Sequence, residues 1–273
     1  MNQPATLLET AQTMFVGSFT FDMARYLIAA SLIAGIVWLL RQTSWSLRKI
    51  QKREATRGDF MREFAASVRT VVVFTVLAVP MVWAFNHGYL KSYQGVVTPL
   101  AFALYLAAIV LAHDTWFYWT HRAMHTKLLY RRFHRFHHLT ITPTAWTAYS
   151  FAIPEAAVSF LFMPAWLALV PTPKPVVFVF LALMILRNTM GHAGLELHPR
   201  GWASHPVLKW ISTTTHHDIH HGTSYNHNYG YYFTWWDKLM GTEHPDYVKM
   251  FDRVTGRVKT QPLTTSASPQ TTA

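Results

Sequence analysis

Eight histidines fall into three clusters, His121-x-x-x-His125, His134-x-x-His137-His138 and His217-x-x-His220-His221, in a chain without cysteine. Intervals of three and four residues stack side chains on one side of an α-helix, so each cluster can aim two or three ring nitrogens at one point. One metal ion rarely takes eight imidazoles, and the count points to a pair of ions. Imidazole suits zinc, copper, iron and nickel alike, so ligand type does not choose among them. Structural zinc takes four ligands, often with thiolates. Eight neutral ligands around two ions leave a large positive charge, which favours anionic oxygen ligands and suits oxygen activation. Iron can change valence and zinc cannot. The residues therefore favour two iron ions (Fe2+/Fe3+), with O2 as co-substrate.

On a helix over 113–125, Asp114 shares a face with His121 and His125, one or two turns deeper. That places it to accept a ring N–H and orient a ligand imidazole. Asp218, inside the third cluster, is a second candidate for this role. His113 and His216 adjoin ligand candidates but point off the shared faces. His87, His205, His227 and His244 read as structural or interfacial residues.

The segments that must position these rings are strongly apolar. The 273 residues are 51% hydrophobic and 15% aromatic but only 14% charged, against about 25% charged in an average soluble domain. Uncharged runs cover 26–40, bounded by Arg25 and Arg41, then 70–90 and 92–112; the latter two match the thickness of a bilayer core. From 156 to 186 the only charge is Lys174, within Pro171-Thr-Pro-Lys-Pro175. This reads as a helical hairpin, 156–170 and 176–190, tilted or partly re-entrant. The fold class expected is all-α: an integral membrane bundle of about four transmembrane helices with a cytoplasmic, helical, histidine-rich cap.

The net charge is +11, from 24 Lys+Arg against 13 Asp+Glu. Its basic residues flank apolar runs, which speaks for anionic lipid and against nucleic acid. Segment 41–69 carries eight Lys and Arg, whereas loop 86–98 carries only Lys91. The positive-inside rule puts 41–69, the histidine regions and the C-terminus in the cytoplasm and the N-terminus outside, with four spans. The start lacks a basic n-region, so no removable signal peptide is expected. The Ser/Thr/Pro-rich tail over 256–273 is expected to be disordered. The aromatic stretch Tyr229–Trp236 reads as an interfacial belt in preference to a substrate wall. Lys127, Arg131, Arg132 and Arg135 form a basic surface that faces headgroups and could also dock an acidic electron donor.

At these residues the chain resembles the fatty acid hydroxylase / sterol desaturase superfamily. The matching pieces are Asp114-x-x-x-Tyr118-Trp119-x-His121-Arg122-x-x-His125, Leu129-Tyr130 leading into His134-x-x-His137-His138, and Pro154-Glu155. Gly191-His192-x-Gly194-x-Glu196, His217-Asp218-x-His220-His221, Asn228-Tyr229-Gly230 and Trp236-Asp237-Lys238-Leu239-Met240-Gly241-Thr242 follow. The resemblance implies a membrane non-haem di-iron enzyme that uses O2 and two external electrons to hydroxylate or desaturate a C–H bond of a lipid, such as a fatty acyl chain or sterol. It adds His192 to the candidate ligands and leaves His198 a weaker one. It implies a catalytic domain over 96–250 behind an N-terminal transmembrane region, 1–95, and residence in a bacterial inner membrane or the endoplasmic reticulum. No fused cytochrome b5-like domain is visible, so a separate donor of ferredoxin or cytochrome b5 type is expected. A non-catalytic metal transporter or store is the alternative. A transporter would place ligands near the bilayer midplane, whereas these clusters lie beyond the apolar runs.

Overall fold

The computed structural model describes residues 7–222 and 224–257. The tail expected to be disordered lies, from 258 onward, outside the described residues. The α-helices in chain order are α1 (Leu7–Arg41), α2 (Arg57–Asn86), α3 (Pro99–Met124), α4 (Tyr130–Phe133), α5 (Ile153–Leu169), α6 (Lys174–Gly191), α7 (Thr214–Gly222), α8 (Trp235–Leu239) and α9 (Tyr247–Thr255). α1, α2, α3 and α6 are long and apolar enough to cross a membrane; α5 is apolar but has 17 residues. Their outward faces carry exposed Ile28, Leu32, Val76, Leu104 and Phe178, as lipid-facing surfaces do. The chain is a multi-pass membrane protein.

Local sequence sets the helix ends. α2 opens on a capping box in which Thr56 Oγ1 accepts from Asp59 N and Asp59 Oδ2 accepts from Thr56 N. α3 opens on Thr98 followed by Pro99, and the proline cluster 171–175 separates α5 from α6.

Three expectations are corrected. The first span is not a fifteen-residue run ending at Arg25; α1 has 35 residues, and Arg25 lies inside it. The third begins at Pro99, since Thr98 and Pro99 start the helix and leave 92–98 as loop. The hairpin is not re-entrant. Lys91 N donates to Leu167 O (2.8 Å) and Ser92 bridges Thr172, so the hairpin tip meets the α2–α3 loop at the end of the bundle remote from the histidines. α1 starts toward that same end, since Phe21 packs on Phe178, early in α6, with ring centroids 5.6 Å apart. α5, the shorter apolar helix, packs as the first arm of the hairpin beside the four spanning helices.

The loop after the second cluster is pinned to these helices. Glu63 of α2, fully buried, accepts from the hydroxyls of Thr140, Thr144 and Thr147. Tyr26 and Ser67 donate to Trp146 O, Asn188 to Ala148 O and Arg69 to Phe151 O. Three helices, α1, α2 and α6, thereby fix the backbone of 140–151.

Candidate metal centre

Two groups of imidazoles form at the end of the bundle. His121, His125, His134, His138 and His220 make one, and His137, His192, His217 and His221 the other. In each, one ring nitrogen per residue lies within 4.8 Å of all the others. The groups share a wall: the His134 and His137 rings are 5.2 Å apart and those of His138 and His221 4.9 Å.

The partition cuts across the sequence clusters. His121, near the C-terminal end of α3, and His125, its C-cap, stay together. His134 and His138 join them, but His137 goes to the four-histidine group. α7 mirrors this, with His217 and His221 in the four-histidine group and His220 in the five. Residues four apart differ by about 40° around a helix, whereas the third and fourth residues differ by about 100°. The i, i+4 pair therefore shares one ion and the intervening i+3 ring faces the other. The expectation that each trio converges on one point is corrected accordingly. The second trio is also not on one regular helix: α4 ends at Phe133, His134 caps it, and His137–Leu139 is a 3-10 turn.

Hydrogen bonds fix the ring tautomers. Nδ1 of His121 faces Tyr229 O (3.0 Å), that of His137 Ser150 O (3.2 Å) and that of His192 Asn188 O (2.8 Å). Nδ1 of His220 faces His227 O (2.7 Å) and that of His221 Thr140 O (3.0 Å). A carbonyl only accepts, so each Nδ1 must carry the proton. His134 Nδ1 donates in the same way to Glu155 Oε1 at 2.8 Å. The Nε2 atoms then present lone pairs, and they present them to each other. His121 and His134 approach Nε2 to Nε2 at 2.9 Å, and His137 and His192 at 3.3 Å. Two lone pairs at that distance repel unless a cation lies between them. The donor set fits two metal ions of the kind imidazole binds, zinc, copper, iron and nickel among them.

Burial keeps these rings neutral. It lowers His192 to about 4, against the Nδ1 hydrogen bond, which raises it. Burial first, then neighbouring imidazoles, hold His134, His137, His138, His217 and His220 well below the usual histidine value. The sign follows: the unfolded chain takes up protons below about 6.5, the folded one only near 4, so stability falls as pH drops through that window. Metal-depleted protein in detergent is expected to melt at a lower temperature at pH 5 than at pH 7. An equal or higher midpoint at pH 5 would contradict this.

The two carboxylates expected beside the ligands are elsewhere. Asp114 accepts from the backbone N–H groups of Tyr232 (2.8 Å) and Phe233 (3.2 Å) and from Trp235 Nε1. It anchors a loop, and among the described residues none of its hydrogen bonds goes to a ligand ring. Asp218 accepts from Gln51 Nε2 and ties α7 to the segment after α1. Sequence reasoning missed the role of Glu155, although a lone carboxylate opening an apolar helix was its signal. Asp237 was missed too; it accepts from Tyr229 N and Gly230 N and so holds the carbonyl that orients His121. Neither His113, which packs among Phe162, Phe180, Tyr231 and Tyr232, nor His198, which bonds Glu196, joins a group. The belt reading of Tyr229–Trp236 is overturned as well: Tyr229 and Tyr232 are buried and none of the aromatic residues in this stretch is exposed. Tyr229 abuts the rings of His121, His125 and His220.

A small cavity of about 30 Å³ touches both groups through His121, His134, His137, His192 and His217; Trp116, Phe117, Met124 and Phe151 form its apolar wall, and Thr120, Glu155 and Asn188 are among its polar lining. Beyond it a larger apolar cavity, about 350 Å³, runs down the bundle. Both are lined by His113, Phe117, Phe151, Ser159 and Asn188, so one opens toward the other.

Comparison with known proteins is consistent with this arrangement. The model of the fatty acid hydroxylase family matches residues 106–242. The chain is 27% identical over 261 residues to the Delta(7)-sterol 5(6)-desaturase erg3B of Aspergillus fumigatus, covering 90% of this chain and 70% of that protein. It is 29% identical over 222 residues to the methylsterol monooxygenase erg25B of the same organism, covering 77% and 72%. It is 30% identical over 208 residues to sphinganine C4-monooxygenase 1 of Arabidopsis thaliana, covering 72% of each. No solved structure matches.

Proposed function

The chain belongs to the fatty acid hydroxylase family, and from that premise we propose that it is a di-iron membrane oxygenase which hydroxylates or desaturates a C–H bond of a bilayer lipid with O2 and two external electrons. The observation that carries this is the facing of unprotonated Nε2 atoms at 2.9 and 3.3 Å, in two groups that share a wall. The five-histidine group would hold one iron, and His137, His192, His217 and His221 the other. Bound iron supplies the O2 and electron chemistry that an unactivated C–H bond requires.

The protein's own residues supply position and dryness. Glu155 and five backbone carbonyls hold the ligand rings in one tautomer and one orientation. Trp116, Phe117, Met124 and Phe151 exclude water where the small cavity meets both groups. A lipid chain enters through the larger apolar cavity and presents one carbon there. His125 is the only one of the nine rings that is half-buried rather than buried. It lies beside the exposed Lys127, Arg131, Arg132 and Arg135, a surface suited to an acidic donor of ferredoxin or cytochrome b5 type. This assignment puts the histidine end in the cytoplasm, at the endoplasmic reticulum or a bacterial inner membrane.

The test is purification with iron analysis, followed by O2 uptake with a working reductant and a lipid panel. Two irons per chain and lipid-dependent uptake are expected, and lipid profiles of a deletion strain should show one class missing an oxygen or a double bond. Stoichiometric iron with no O2 uptake on any lipid would favour a metal store.

A further inference from the structure

An ion pair sits inside the apolar cavity, within the first membrane helix. Arg25 Nε donates to Asp22 Oδ1 at 2.8 Å, and Arg25 Nη2 lies 2.7 Å from the same oxygen. The side chains are 12% and 11% exposed, and both line the cavity. Charged groups at this depth are costly and are retained where they serve transport, binding or catalysis. Arg25 Nη1 also donates to Leu181 O (3.2 Å), which accounts for part of its hydrogen-bonding capacity. Asp22 Oδ2 is different: among the described residues no hydrogen bond reaches it, and all of Arg25's contacts with Asp22 fall on Oδ1.

We propose that the Asp22–Arg25 pair is the binding site for a hydroxyl group on the lipid substrate. The pair is neutral as a unit. A carboxylate brought to it would face Asp22, and an ammonium would face Arg25. A hydroxyl can donate to Asp22 Oδ2 and accept from the guanidinium, and it brings no uncompensated charge into the bilayer. The cavity wall around it is mostly apolar or aromatic, including Phe21, Phe74 and Phe178, with Ser18 and Tyr149 among its uncharged polar members; the pair, as the charged feature of that stretch of wall, sets which way a lipid lies in the slot. Leu181 stands about three helical turns before His192, so the hydroxyl would be held roughly 16 Å from the ring-bearing end. The pair acts as a ruler that selects the carbon presented there, through a group remote from the reaction.

This inference rests on reading the large cavity as the lipid slot, and its test does not depend on turnover. Binding of 1-hexadecanol and cholesterol, each as the free alcohol and as its methyl ether, and of hexadecanoic acid is measured on the iron-loaded full chain in nanodiscs. At least one alcohol is expected to bind about tenfold or more tightly than its ether, and hexadecanoic acid to bind no better than the ethers. In an Asp22→Leu/Arg25→Met variant, the preference should shrink below about twofold. Asp22→Asn, which keeps a donor and an acceptor, should retain part of it. Iron content reports whether each variant is folded; if the double variant loses iron, Asp22→Ala alone must show the loss of preference. Equal binding of alcohol and ether by the unaltered protein, or an undiminished preference in the folded variants, would overturn the proposal in favour of a purely structural ion pair. Absence of iron or O2 uptake in the unaltered protein would instead overturn the oxygenase reading.

Discussion

Alanine at both His137 and His217 is expected to leave about one iron per chain, whereas alanine at both His217 and His220 should leave none. The first two rings belong to the four-histidine group, while His217 and His220 come from the same helix but face different groups. Grouping by sequence cluster makes the opposite forecast, because His217 and His220 would then share an ion. Metal analysis of the two double variants, purified side by side, separates the readings. Each single substitution within the nine should lower product at least about 100-fold, since an ion missing a ligand or the whole ion is lost. One iron retained in the His217→Ala/His220→Ala protein would sink the partition.

Replacing Glu155 by leucine is expected to cost about 10- to 100-fold in iron affinity or turnover, although Glu155 belongs to neither group. Its carboxylate accepts from His134 Nδ1 at 2.8 Å. Without it that buried N–H loses its only partner, and the ring is free to take the other tautomer, which turns a proton toward His121. Glu155→Gln keeps an acceptor at the same reach and should recover most of the loss. The readout is iron titration together with product formation. Equal damage in both variants would mean that the carboxylate's charge, not its acceptance of the ring proton, is what matters.

Much of this was legible in the sequence because membranes and metals impose strict patterns. The uncharged runs located the hairpin arms to within a few residues and the proline cluster at 171–175 located the turn, but the runs 70–90 and 92–112 marked only part of α2, which starts at Arg57, and of α3, which ends at Met124. All eight clustered histidines are in the two groups; His192 came only from family resemblance, because a lone histidine after a glycine carries no periodicity. What spacing could not give was allegiance. H-x-x-H-H places three rings within about 100° of arc, and the arc alone does not say whether one ion or two lie beyond it. Asp114 was misassigned for a related reason. Its offset from His121 is right for a shared face, but residues 232–235, more than a hundred positions along, claim its oxygens. The supporting carbonyls of Thr140, Ser150, Asn188 and His227 belong to none of the sequence motifs, since any residue type supplies a carbonyl. They follow from the loop conformations that Glu63, Asp237 and Asn188 impose.

The two-faced helix α7 has a consequence of its own. One rigid rod carries rings that look into both chambers, so the spacing of the chambers is built into a single turn of backbone. Neither half can drift in position without dragging its neighbour, and one residue added between His217 and His220 would twist both sets out of true at a stroke. The lipid slot lies apart from that turn, and side chains can change there without moving either set of rings.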